Sequence, residues 1–314
     1  MKNKNIIVTG GLGFIGSHIV EELINANQIT IIDNKSSGKI ENLANPNHEN
    51  LKIITEDLTT INLDDLTLIL KDVDYVFHLA ALASVPMSVK NPIKSNENNV
   101  DATVKLLNAS KDSEISKFVF SSSSAVYGEN PNMPLSESEL LMPTSPYAAS
   151  KASCELYCQS FFESYGLSAV SLRYFNVFGP RQDVNSQYAA VIPNFIHSLV
   201  NNDQAIIYGD GEQTRDFIYV KDIVKANIAA AESKYNGIMN VASGISMSIN
   251  QLYNIIKNTL GSELDPIYKE KRPGDIKHSL ANVQNMKHIR FKVDPSLFTK
   301  QLETTIKWFK NSEI

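Results

Sequence analysis

The sequence predicts an α/β fold, a doubly wound parallel sheet with a smaller α/β part at its C-terminal end. Three observations carry this expectation. Short apolar runs alternate with helical stretches through the first half of the 314-residue chain. A glycine-rich turn, Gly10-Gly11-Leu12-Gly13-Phe14-Ile15-Gly16, stands between the first apolar run and the first helical one. Beyond Gly179 the rhythm changes to short helices separated by loops rich in Gly, Pro, Asp and Asn. Strands and helices alternating in this way imply right-handed βαβ units and a sheet covered on both faces.

The elements follow in order. Lys2 and Lys4 precede Ile6-Ile7-Val8, which briefly resembles a secretory leader. The apolar part breaks at once into glycines, so residues 5–9 are read as the first strand. The glycine turn leads into a helix over 15–26. A strand over 28–33 ends in Asp33, and the next, over 51–55, leads to Asp57-Leu58. A helix over 63–70 separates it from the strand 75–78, which runs into Leu79-Ala80-Ala81. Asn98 and Asn99 precede a helix over 100–110, where one of them is a good N-cap. A strand over 117–121 runs into the serines Ser121 to Ser124, closed by Val126-Tyr127. Pro146 opens a helix over 147–165, and a strand over 169–174 follows. Further helices are expected over 193–200, 220–232, 249–259 and 297–308. Residues 1–178 are expected to form one domain and 179–314 mainly a second, with interleaving of the two left open.

Composition narrows the function. The chain is 43% hydrophobic and 20% charged, as in soluble globular proteins. Its net charge is −5 and it shows no basic stripe, which argues against nucleic acid. No apolar run approaches the roughly 18 residues of a membrane span. Cys154 and Cys158 share a helix face and lack metal-ligand partners at a usual spacing, so they read as reduced thiols in a cytoplasmic protein. No metal site is expected.

The glycine turn allows a pyrophosphate to approach the N-terminus of the first helix, at Gly10, Gly13, Phe14, Ile15 and Gly16. Asp33 at the end of the second strand accepts the two adenosine ribose hydroxyls and repels a 2′-phosphate, which favours NAD over NADP in a Rossmann-type domain. Asp57 and Leu58 are placed to meet the adenine. The small residues of Leu79-Ala80-Ala81 leave room for a flat ligand at the sheet edge. His78 reads as a packed histidine rather than a base.

Tyr147 and Lys151 lie four residues apart, on one helix face. A tyrosine with pKa about 10 is mostly protonated at neutral pH, and a neighbouring ammonium favours the phenolate. The pair suits proton abstraction from an alcohol.

With these features on one chain, the sequence resembles the extended short-chain dehydrogenase/reductases, specifically the nucleotide-sugar 4-epimerases. The resemblance spans nearly the whole length. It includes the glycine turn, the serine strand end, Tyr147/Lys151, the segment Arg173-Tyr174-Phe175-Asn176-Val177-Phe178-Gly179-Pro180-Arg181, the segment Asp210-Gly211-Glu212-Gln213-Thr214-Arg215-Asp216-Phe217, and Arg272-Pro273-Gly274-Asp275. It implies tightly bound NAD+, with Asn34, Asn99, Ser121, Tyr174 and Val177 also against the cofactor. It implies Ser123 as the catalytic hydroxyl beside Tyr147 and Lys151, with Ser122 beside the nicotinamide pocket. On the sugar side it implies Ser84, Ser124, Asn176, Val191, Tyr208, Gln213 and Ser279. Arg215 and Arg272 would meet the substrate pyrophosphate and Asp275 its ribose.

Dehydratases and decarboxylases of this resemblance carry an acid two residues before the tyrosine of their V-Y-G; here Ala125 stands there. That points to hydride transfer from C4 of a UDP-sugar, a 4-keto intermediate, and return of hydride to the other face. The position of Ser279 resembles a gatekeeper over the C2 substituent, where a small residue admits N-acetyl groups. UDP-glucose/UDP-galactose and UDP-GlcNAc/UDP-GalNAc are the expected pairs. A UDP-glucuronate epimerase, with Arg181 or Lys90 facing the C6 carboxylate, stays open, as does a degenerate NAD-binding sensor. The resemblance also implies a homodimer through the helices over 100–110 and 147–165. The sugar, the nucleotide base and the pathway stay open.

Overall fold

The computed structural model describes residues 1–183, 191–271 and 276–311. Its strands are β1 (Asn5–Thr9), β2 (Gln28–Ile32), β3 (Leu51–Ile54), β4 (Tyr75–His78), β5 (Lys117–Ser123), β6 (Ala169–Tyr174), β7 (Asn176–Phe178), β8 (Ile206–Tyr208), β9 (Thr214–Arg215), β10 (Phe217–Tyr219), β11 (Gly237–Val241), β12 (Met247–Ser248) and β13 (Ile267–Lys269). The helices are α1 (Phe14–Leu23), α2 (Leu63–Ile69), α3 (Val85–Lys90), α4 (Pro92–Asn96), α5 (Ala102–Ser110), α6 (Pro146–Tyr165), α7 (Val191–Val200), α8 (Val220–Glu232), α9 (Ile249–Leu260) and α10 (Phe298–Asn311).

A 7-stranded parallel sheet in the order β11-β6-β5-β4-β1-β2-β3 forms the centre. The strand order reverses between β1 and β4, and there the strand ends part to leave a crevice. Side chains alternate between the two faces. Ile6 and Val8 pack with Ile19 and Val20 of α1 and Ile223 of α8 on one face. Ile7 packs with Val76, Leu106 of α5 and Cys154 of α6 on the other. A separate cluster of Phe195, Leu252, Tyr253, Ile306 and Phe309 holds α7, α9 and α10 together.

Three departures from the sequence expectations bear on the site. Strand β5 runs through Ser123, two residues beyond the apolar stretch, because Ser121, Ser122 and Ser123 pair with Leu172, Arg173 and Tyr174 of β6. Strand β11, at the sheet edge, was not expected. Its internal Asn240 is fully buried, donating to the Leu135 and Asn282 carbonyls and accepting from the Tyr127 hydroxyl, and so breaks the apolar signal of a strand. The helix expected from residue 100 belongs to a longer run. Asn91 caps α4 by accepting from Lys94 N–H, Pro92 follows, and a wide π-type turn over Glu97–Asp101 joins α4 to α5. Neither Asn98 nor Asn99 is therefore an N-cap, since both sit inside this run.

Candidate active site

The Gly10–Gly16 turn carries the chain from β1 to α1. Gly10 has φ +68, and a Cβ there would lie 2.8 Å from the Ala80 amide nitrogen. A Cβ on Gly16 would run into the Gly10 carbonyl oxygen. Glycine at these positions lets the turn lie against the end of β4, and the first N–H groups of α1 have no partner inside the helix. Thr9 ties the two strand ends together, its hydroxyl accepting from Leu79 N–H and Ala80 N–H at 3.2 Å each.

Asp33 follows β2. Its Oδ2 accepts from Leu12 N–H at 3.0 Å and its Oδ1 from Lys35 N–H at 2.8 Å, so the acid is oriented by the glycine turn. Asn34 donates to Asp57 at 2.8 Å. Burial works to raise the Asp57 pKa, but hydrogen bonds from Thr59 and Asn34 and the Lys105 cation outweigh it, so the carboxyl lies below its usual value. Lys105 of α5 holds the same loop through the Thr59 and Ile61 carbonyls. His78 is buried, bonded to Thr9 at 2.7 Å and Thr103 at 2.9 Å. Burial, with the Lys151 cation nearby, pushes its pKa down to about 3, so it is a neutral packed ring.

Helix α6 starts where Ser145 accepts from Ala148 N–H and Pro146 takes the first turn, and it ends at Gly166 in the left-handed region with φ 72. Tyr147 is thus fixed in the first turn, its backbone N–H donating to Ser88 at 3.0 Å. Burial raises the pKa of its phenol, and a hydrogen bond with Ser123 opposes the rise. Lys151 donates to the Ser121 carbonyl at 2.6 Å and lies 5.9 Å from the centre of the Tyr147 ring. Burial brings its pKa down to about 8.

One cleft of about 1680 Å³ joins these features. It is bordered by the glycine turn from Gly10 to Gly16, by Asp33, Asn34, Asp57 and Leu58, and by Leu79, Ala80 and Ala81. Ser84, Ser121, Ser123, Tyr147, Lys151, Tyr174 and Val177 border it too. Its shape and donors fit a dinucleotide, with a glycine cradle at a helix N-terminus, an oriented acid after β2, and the Tyr147–Lys151 pair at the far end. Ser122 also borders it, but its hydroxyl donates to Glu155. Asn99 lies behind the wall, bonded to Leu82 and Ser150.

Several of the expected sugar-side residues lie on one set of short loops and ribbons after β7, and, among the described residues, none of those loops is part of the cleft lining. Gln213 donates to the Tyr208 carbonyl at 2.8 Å, and Ser279 N–H donates to the Thr214 carbonyl at 3.1 Å. Arg215 donates to the Thr214 and Lys277 carbonyls. Asn176 donates to the Asp216 carbonyl at 3.1 Å. Val191 belongs to α7, and Ser124 begins the turn Ser124–Tyr127. Arg272 and Asp275 lie outside the described residues.

Sequence reasoning missed Glu155, which pairs with Arg173 in the interior. An arginine inside an apolar strand was the available signal, because a buried charge needs a partner. Among the described residues no cluster of three or more metal-ligating side chains occurs, and no helix is long and apolar enough to cross a membrane.

The model of the NAD dependent epimerase/dehydratase family matches residues 6–242. A UDP-N-acetylglucosamine 4-epimerase from Methanobrevibacter ruminantium M1, solved with UDP-N-acetylmuramic acid, is 65% identical over 98% of this chain and 99% of its own, with TM-score 0.97. A UDP-glucose 4-epimerase from Thermotoga maritima, solved with UDP-glucose, is 38% identical over 98% and 99%, with TM-score 0.92. A UDP-glucuronic acid 4-epimerase from Bacillus cereus, solved with UDP-glucuronic acid and NAD, is 30% identical over 98% and 99%, with TM-score 0.89.

Proposed function

We propose that this chain, which belongs to the NAD-dependent epimerase/dehydratase family and is an NAD-dependent UDP-sugar 4-epimerase, inverts C4 of N-acetylated UDP-hexoses as well as of UDP-glucose and UDP-galactose. The observation that carries the substrate reading is Ser279. It is small and its N–H donates to the carbonyl of Thr214, the neighbour of Arg215, so on the assignment of Arg215 to the substrate pyrophosphate a small side chain stands near the sugar. The 65%-identical neighbour, a UDP-N-acetylglucosamine 4-epimerase, supports the same choice.

NAD, which the Gly10–Gly16 turn, Asp33 and the Tyr147–Lys151 end of the cleft would hold, would supply reversible hydride transfer at C4 of the sugar. The chain's own residues handle the proton. Ser123 bonds the Tyr147 phenol and passes the proton of the 4-hydroxyl to it. Lys151 stands beside the phenol and favours its ionised form. Ala125, whose N–H donates to Ser123, places no carboxylate next to the sugar, which supports simple inversion over loss of water or CO2. Arg215 is the cation for the substrate pyrophosphate and Asn176 a second polar contact. Arg272 and Asp275 are assigned to the same nucleotide.

The glucuronate reading is the weaker one. Arg181 is already paired with Glu21 at 2.5 Å and bonded to Ser17 of α1, and Lys90 does not border the cleft. We assign the protein to the cytoplasm and to a homodimer. Leu156, Tyr157, Val89 and Ile93 are exposed on α6, α3 and α4, which supports an interface there, while no apolar side chain of α5 is exposed and Val104 is half-buried. The test is incubation of purified protein with UDP-glucose, UDP-N-acetylglucosamine and UDP-glucuronate separately, with no added NAD. Epimerisation of the first two is expected. Turnover of UDP-glucuronate alone, or of nothing until NAD is supplied, would overturn the substrate or the retained-cofactor reading respectively.

A further inference from the structure

The helix that presents Tyr147 and Lys151 carries a buried carboxylate one turn further on. Glu155 and Arg173 of β6 have side-chain exposures of 0% and 1%. They meet through two hydrogen bonds, Arg173 Nε to Oε1 at 2.9 Å and Nη2 to Oε2 at 2.7 Å, a geometry that fixes the carboxylate plane. Oε1 also accepts from the Ser122 hydroxyl at 2.5 Å. Arg173 is held in turn. Its guanidinium lies 4.7 Å from the centre of the Tyr127 ring, and its Nη1 donates to the Glu137 carbonyl. Tyr127 donates to Asn240, whose N–H donates to the Glu137 carboxylate.

Stability alone is a weak reason for such a network, because a buried ion pair is often no better than an apolar pair of the same volume. Its placement is more informative. Three successive residues of β5 meet α6: the Ser121 carbonyl receives Lys151, Ser122 donates to Glu155, and Ser123 bonds the Tyr147 phenol. The middle contact is the one anchored to a third element.

We propose that Glu155 is a positioning residue for the reaction: anchored by Arg173, it grips Ser122 and sets the serine strand end in register with the helix that presents Tyr147 and Lys151. The proposal rests on the assignment of Ser123 and Tyr147 to proton transfer. It has an electrostatic consequence as well. Burial pushes the Lys151 pKa down to about 8, and Cys154, Glu155 and Cys158 on the same helix act in the opposite direction. The other groups around it are Tyr147 on α6, neutral His78 on β4, Arg173 on β6, and beyond Arg173 the Tyr127 ring and Glu137. Removing the Glu155 charge lowers the Lys151 pKa further, so the alkaline fall of activity comes at lower pH.

Wild-type turnover of UDP-sugars, measured first, tests the functional reading separately. Ser122→Ala then cuts the grip while leaving the ion pair intact. The expected result is a kcat lower by about tenfold to a hundredfold, the scale of a small misplacement of reacting groups. KM and bound NAD should stay near wild type, and Ser122→Thr, which keeps the hydroxyl, should recover most of the rate. The double variant Glu155→Gln/Arg173→Met leaves no buried charge unpaired and should move the alkaline limb of the kcat profile to lower pH. A Ser122→Ala enzyme with wild-type kcat, even with a lowered melting temperature, overturns the proposal, as does a loss of kcat that threonine does not restore.

Discussion

On the cofactor side of the site the glycine turn, Asp33 and Ala80 come from the ends of adjacent strands in one 7-stranded sheet. On the sugar side Gln213, Arg215 and Ser279 come from two-stranded ribbons, β12 with β9 and β13 with β8, and from the segment packed on them. The first group inherits its geometry from a sheet whose inner strands are paired on both sides. Ribbons of two or three residues are marginal by themselves. They depend on loop contacts such as those of buried Asp216, which accepts from Ser243 N–H and hydroxyl, Gly244 N–H and Ala281 N–H. Burial pushes the Asp216 pKa up to about 6 even against these bonds. On the proposed assignment, chemistry common to all substrates sits on the rigid sheet edge, while substrate choice sits on short ribbons held by loop contacts.

Substitutions that separate the two sides test this division. The largest effect is expected for Tyr147→Phe, which removes the proton acceptor and should lower kcat about a thousandfold on every substrate. Bound NAD, quantified after denaturation of the purified variant, should be unchanged; loss of NAD together with activity would move Tyr147 from chemistry to cofactor retention. Arg215→Ala should raise KM for UDP-sugars about tenfold to a hundredfold, the scale of a lost charge-assisted hydrogen bond, with kcat changed far less. A fall in kcat alone would place Arg215 with the chemical side. Ser279→Tyr should have the most confined effect, a loss of about tenfold or more in kcat/KM for N-acetylated substrates, on the scale of 1–3 kcal/mol for a steric mismatch. UDP-glucose should be handled within about twofold of wild type in the same assay. Equal losses on both substrates would show that the ribbon had shifted as a whole and that the sugar side is not independently tunable.

The cofactor side was the more legible in the chain for a physical reason. A glycine turn, an acid after a strand and a Tyr–Lys pair at helical spacing are local patterns, and local backbone geometry places their side chains. Gly10 shows the limit of that information. Its spacing marks a turn, but the reason a side chain is excluded is the Ala80 amide, brought close by the pairing of β1 with β4. Asn99 shows a local reading that failed. An asparagine before a helical run is a good cap, but the run continues through it, and its amide is drawn to Leu82 and Ser150 instead.

The four serines mark the same boundary. Their composition and position after an apolar strand foretold a polar strand end near Tyr147, and the absence of an acid at Ala125 could be read from the chain alone. The pairing of three of them with β6, and the turning of Ser122 towards Glu155, depend on Leu172, Arg173 and Tyr174, which arrive from far along the sequence. The edge strand β11 and the ribbon carrying Arg215 are of the same kind. Local periodicity specifies elements and the motifs within one turn of them, while partners distant in sequence are chosen by packing, through burial and the need of every enclosed polar group for a hydrogen bond.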